Sequence, residues 1–166
     1  MNIQDIKLIY EYNYWSNQRI LVASAKVPHE QFSAPASFPY GGLRGTLLHI
    51  LDAEWGWRMF LQNNDWSVPD LNEAEFPTLL EFESRWRAEK TAMRKYLASL
   101  RDEDLIAHRY YNTSEGETRD RILWHCLLHV ANHGTQHRSE AAALLTDYNS
   151  SPGDLDFTVF LNEYKP

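Results

Sequence analysis

Apolar residues recur every three to four positions through long stretches of the chain, and turn-forming residues separate those stretches. The first periodic block covers about residues 3–27 and is stopped by Pro28. A loop with Pro35, Pro39 and the Gly41-Gly42 pair follows. The second block runs over about 42–62, the third over about 78–100 and the fourth over about 118–147. Between the third and fourth lies the polar stretch RDEDLIAHRYYNTSEGETRD, which suggests a short hairpin around Ser114-Glu115-Gly116. Asn149-Ser150-Ser151-Pro152-Gly153 ends the last block, and the tail DLDFTVFLNEY predicts a short C-terminal helix with Asp154 as its N-cap.

A period of 3.6 residues over blocks of this length predicts four helices of about 30–45 Å. The expected fold is all-α, a four-helix bundle forming one domain over residues 1–166. The link between the second and third blocks, NNDWSVPDLNEAEFP, spans about 50 Å when extended. That exceeds a helix length, so the link can cross the whole bundle, and the predicted topology is up-down-down-up.

Two helix faces stand out. In the second block Gly42, Thr46, His49, Ala53, Gly56 and Phe60 form one uncharged seam, mostly of small residues, with a histidine at its middle. The opposite face carries Leu47, Leu48, Leu51 and Trp55, flanked by Arg44, Glu54 and Arg58. It is too apolar for a free surface and is expected to meet another element or a second subunit. With the aromatic excess, it motivates a homodimer.

In the fourth block, RILWHCLLHVANHGTQHRSEAAALL, the core stripe is Leu123, Leu127, Val130, Gly134, Ala141 and Leu145. At 100° per residue His137 lies about 40° from that stripe, His133 about 80°, His129 about 120° and His125 about 160°. The helix thus turns His133 and His137 inward and His125 outward. Cys126 sits on the core side and reads as an inert buried thiol.

A His pair at i and i+4 can chelate one cation. The metalloprotease glutamate is missing, since Gly134 follows His133. A third ligand has to come from another helix, and His49 is the candidate. Three imidazoles suit Zn, Ni, Fe or Cu and leave positions for water or substrate, as in catalytic sites. His129 is either a partner that orients a ligand or a rim residue. Asp52, about 60° from His49, could orient it, whereas Glu54 falls on the opposite face. His29 and His108 fall in loops and carry no metal reading. The sequence shows no catalytic triad, phosphate-binding glycine loop or C-x-x-C.

Composition narrows the partners. Sixteen Lys and Arg against 23 Asp and Glu give a net charge of −7. That balance argues against nucleic acid or an anionic membrane surface. No apolar run of about 18 residues predicts a membrane span, and MNIQDIKLIYEYNYW does not read as a secretory signal. A lone cysteine excludes an intrachain disulfide framework and fits the cytoplasm.

Four ordered segments resemble the DinB/YfiT-like superfamily of metal-dependent helical proteins. They are Trp15, Asn17 and Arg19 in YNYWSNQRIL, the segment TLLHILDAEWGW, the segment HVANHGTQHR, and the tail PGDLDFTVFL. Ser139-Glu140 departs from the Gly-Gln that many members carry there, with the ligands expected to be untouched. The resemblance implies a four-helix bundle, usually dimeric, whose divalent metal (Ni, Zn or Fe) is held by His49, His133 and His137. It also implies a small-molecule substrate, with a thiol co-substrate in relatives that act as low-molecular-weight thiol S-transferases. The expected function is such a transferase or a metal-dependent hydrolase. The alternative is a non-catalytic metal-binding or stress-response protein.

Overall fold

The structure is a computed structural model and describes residues 1–166 except Asp65, Trp66, Val68, Ser114 and Pro166. Four long helices dominate: α1 (Ile3–Ser24), α3 (Leu43–Asn63), α4 (Leu79–Ser99) and α5 (Leu123–Asp147). A one-turn helix α2 (His29–Phe32) and a C-terminal helix α6 (Phe157–Glu163) complete the helical set, so His29 lies on a helical turn and not in a loop. Asn2 with Asp5, and Thr78 with Glu81, form reciprocal capping boxes at the starts of α1 and α4.

The contacts fix the directions. Going up α3, Glu54, Arg58 and Leu61 meet Trp86, Glu89 and Tyr96 going up α4, so these two helices are parallel. Tyr10 and Ala23 of α1 meet Leu127 and Ser150 at the start and just past the end of α5, so α1 and α5 are also parallel. Glu11 bonds Arg94 at the far end of α4, which makes α1 and α4 antiparallel. The bundle is therefore up-down-down-up. The described part of the crossover runs back along α3: the Leu71 amide donates to Asp52 Oδ1 at 2.7 Å, and Glu73 pairs with Arg44. Asp52 thus anchors the crossover and does not orient His49.

Three boundaries differ from the sequence reading. Residues 118–122 are not helical. They form β2 (Thr118–Ile122), paired antiparallel with β1 (His108–Asn112). The hairpin turn places Gly116 at φ +82°, which lets the chain reverse there and supplies 118–122 with backbone partners (Ser114 of the expected turn lies outside the described residues). The N-cap of α6 is Asp156, because Asp154 Oδ1 is used by the Asp156 amide. Finally, α1 stops at Ser24, whose hydroxyl donates back to the Ile20 carbonyl.

The apolar core is split in two. One cluster holds Ile6, Tyr10, Phe60, Met93 and Leu127, and the other holds Ile20, Leu47, Leu51, Phe82 and Leu145. Leu47 and Leu51, from the face that motivated a dimer, are wholly consumed inside the chain. Between the clusters runs a buried polar layer that joins all four long helices. Glu54, which the sequence reading set on the polar flank, is 4% exposed and accepts hydrogen bonds from Asn13, Asn17 and the Trp86 indole at 2.7, 2.9 and 2.8 Å. The same two asparagines offer their carbonyl oxygens to Arg138, which is 2% exposed and also donates to Thr135. Two amides therefore bridge a buried carboxylate and a buried guanidinium, with donors and acceptors matched throughout. Arg58, also read as a flanking residue, is buried against Glu89 of α4 by a two-pronged ion pair.

Gly134 is part of this layer. A Cβ there would lie 2.7 Å from Arg138 Nη1 and 2.9 Å from Asn13 Oδ1. Alanine is a better helix former by about 1 kcal/mol. Even so, Gly134→Ala should lower stability by about 1–3 kcal/mol, because both contacts belong to buried, hydrogen-bonded groups that cannot yield cheaply. Urea denaturation checks this, and a stabilised variant would refute it.

Candidate metal centre

Helices α3 and α5 run antiparallel, and their facing surfaces bring the three expected histidines together. His133 and His137 lie one turn apart on α5, and His49 faces them from the middle of α3. The ring centroids are 4.7 Å apart for His49–His133, 4.6 Å for His49–His137 and 4.5 Å for His133–His137. One ligand nitrogen from each ring falls within 4.8 Å of the others. His49 Nε2 and His133 Nε2 are 2.9 Å apart. Two nitrogens bound to one zinc at 2.0–2.1 Å and a tetrahedral angle would be separated by about 3.3 Å, so this pair would need to part by only a few tenths of an ångström to share the ion. The donor set is all imidazole, which fits a first-row divalent cation and not Mg or Ca.

Two contacts orient the rings, and the sequence reading missed both. His137 Nδ1 donates to Glu140 Oε2 at 2.8 Å. That bond fixes the proton on Nδ1 and leaves Nε2 with its lone pair toward the other histidines. The departure from the common motif at Glu140 therefore acts directly on a candidate ligand. Tyr40 stacks face to face on His49, with centroids 3.4 Å apart, and meets His137 edge-on at 5.2 Å. Its place depends on Gly45, where a Cβ would fall 2.0 Å from the Tyr40 carbonyl oxygen. The early glycines of the second block are thus explained by a loop lying close over the start of α3.

Glu140→Ala should weaken zinc or nickel binding by about 10- to 100-fold, the usual cost of losing a carboxylate behind a ligating histidine. Glu140→Gln keeps an acceptor oxygen and should lose less. Competition titration against a chromophoric chelator measures both, and equal affinity in all three proteins would show that the bond is idle.

Burial pushes the His49 and His133 imidazoles down to about 4, helped by the neighbouring histidines. Both are neutral at pH 7 and ready to bind a cation without first losing a proton. The sign for stability follows. The unfolded chain takes up protons as pH falls through about 6.5, while the folded rings resist until about 4. Their contribution is complete above 6.5 and is lost as pH falls from 6.5 to 4. Metal-free protein should therefore show a urea midpoint that drops between pH 7 and pH 4.5. The drop should shrink when His49 and His133 are both changed to Gln, and an unchanged drop would assign it to other groups.

The remaining candidates lie elsewhere. His125 is exposed and packs edge-on against Trp124, as its outward angle predicts. His129 touches His133 ring to ring at 5.8 Å and Trp57 at 5.1 Å, which places it on the rim of the centre. His108 pairs with Asp120 across the hairpin at 2.7 Å. Cys126 is buried, and burial pushes its thiol up, as suits an unreactive core residue.

Comparison with known proteins agrees in extent with the sequence resemblance. The family model described as "DinB family" matches residues 1–163. The chain is also similar to "Protein DinB" of Bacillus subtilis (strain 168), with 24% identity over 162 residues, covering 93% of this chain and 94% of that protein.

Proposed function

The chain belongs to the DinB family, and from that premise we propose that it is a divalent-metal-dependent enzyme whose cation sits between His49, His133 and His137. The observation that carries the reading is the convergence of three imidazoles from two helices, one of them fixed by Glu140. Nickel, zinc or iron is the ion such a donor set selects. Bound there with open positions, the cation would acidify a thiol or a water that reaches it. The reaction proposed is transfer to or from a low-molecular-weight thiol, with hydrolysis as the second form of the same chemistry.

The chain's own residues supply the setting. Half-burial keeps His49 and His133 neutral. Tyr40 covers one face of the His49 ring. The polar layer of Glu54, Asn13, Asn17 and Arg138 braces α1, α3, α4 and α5 behind it. A homodimer and a cytoplasmic place belong to the same proposal. Among the described residues no helix is long and apolar enough to cross a membrane.

The deciding experiment is the metal content of protein purified without a histidine tag, followed by thiol-transfer and hydrolysis assays on the loaded form. Near-stoichiometric metal with turnover lost on chelation supports the enzyme. A protein that stays metal-free, with full stability, supports the binding-protein alternative.

A further inference from the structure

Alternation along the hairpin sets Arg109, Tyr111, Arg119 and Arg121 on one face, and Tyr111 packs that face onto Trp57 and Phe60 of α3. Arg119 is paired with Glu117. Arg109 and Arg121 stand directly opposite each other in the register. Like charges so placed repel, and among the described residues no carboxylate forms an ion pair with either. Arg121 donates to the Asp120 carbonyl and Arg109 to the His108 carbonyl, while Arg109 Nε is buried without a partner. An unneutralised arginine pair is unexpected in a chain of net charge −7.

Beside the pair lies a cavity of about 360 Å³ lined by Trp57, Tyr111, Arg121, His125, Cys126 and His129. Its size is that of a small-molecule site. Among the described residues no acidic side chain lines it. It also abuts the first turn of α5, whose N-cap Ile122 provides no side-chain acceptor, so the helix dipole adds positive potential there. His129 is shared with the metal centre, since its ring lies 5.8 Å from that of His133.

We infer that this cavity binds an organic anion, with the acid group on Arg121 and a flat apolar body against Trp57 and Tyr111. Its other end then points past His129 toward the three histidines, which makes the cavity the substrate subsite of the centre. The anion site stands on the arginine pair and the cavity; only its role as a substrate subsite rests on the proposed metal enzyme.

Fluorine NMR titration with 4-fluorobenzoate and 4-fluorobenzyl alcohol tests it, on zinc-loaded and metal-free protein alike. The acid should bind at least about tenfold more tightly than the alcohol in both forms, the worth of one charge-assisted hydrogen bond. Arg121→Ala should abolish that preference, Arg121→Lys should keep part of it, and zinc content should not change in either variant. Equal binding of acid and alcohol would overturn the inference. So would a preference that needs zinc and ignores Arg121, because the acid would then be ligating the metal. Failure of the protein to take up metal, with the Arg121-dependent preference intact, would sink the enzyme reading and leave the anion site standing.

Discussion

His49→Ala, His133→Ala and His137→Ala should each reduce zinc or nickel affinity by more than the roughly 10- to 100-fold expected from removing a supporting carboxylate. Two imidazoles hold such a cation poorly, and no other His, Cys, Asp or Glu among the described residues joins the cluster. His125→Ala should leave affinity unchanged, since that ring is exposed on another side of α5. His129→Ala should cost less than Glu140→Ala, because it meets His133 only ring to ring. Helicity by circular dichroism should survive the His49 and His133 changes, as neither residue belongs to the two apolar clusters. His137→Ala is the harsher change. It strands the Glu140 carboxylate without its donor and should also lose about 1–3 kcal/mol of stability. A loss of metal in His125→Ala with retention in His49→Ala would refute the assignment of the site.

The histidine cluster was legible in the sequence from helix geometry together with the family resemblance. The i,i+4 pair and the small-residue seam made His49 the candidate third ligand, and the family resemblance implied the full set. The long helices were legible from their periodicity, and the reach of the link between the second and third blocks allowed the crossover that the structure shows. The hairpin was legible from its turn residues, but the extent of β2 was not, and residues 118–122 read as the start of the fourth helix. TRDRI carries three charges and little apolar signal, and it is held by pairing to residues 6 to 14 positions away. Tyr40 was hidden because its stacking on His49 depends on a backbone approach that only Gly42 and Gly45 permit. Glu54 and Arg138 were hidden for a deeper reason. Each stands in a segment that carries the family resemblance, yet local patterning assigns a charged residue to the surface. Burial becomes tolerable only when Asn13 and Asn17, from a third helix, complete the hydrogen bonds.

That dependence sets the largest stability effect. Arg138→Met should destabilise the protein by about 3–5 kcal/mol, the cost of breaking a buried charge network by removing one partner. Methionine fills the volume, so the loss is electrostatic in origin: the Asn13, Asn17 and Thr135 oxygens lose their donor, and the Glu54 carboxylate is left without a cation. Glu54→Gln alone also destabilises, since the new amide NH2 faces donors on Asn17, Asn13 or Trp86. The two changes should not add. With both charges gone, the uncompensated carboxylate no longer exists, and the double variant should be less destabilised than the sum by about 0.5–3 kcal/mol. Urea denaturation of the four proteins closes this cycle. Additivity within about 0.3–0.5 kcal/mol would mean that the asparagine bridges do not transmit the interaction and that Glu54 and Arg138 are held independently.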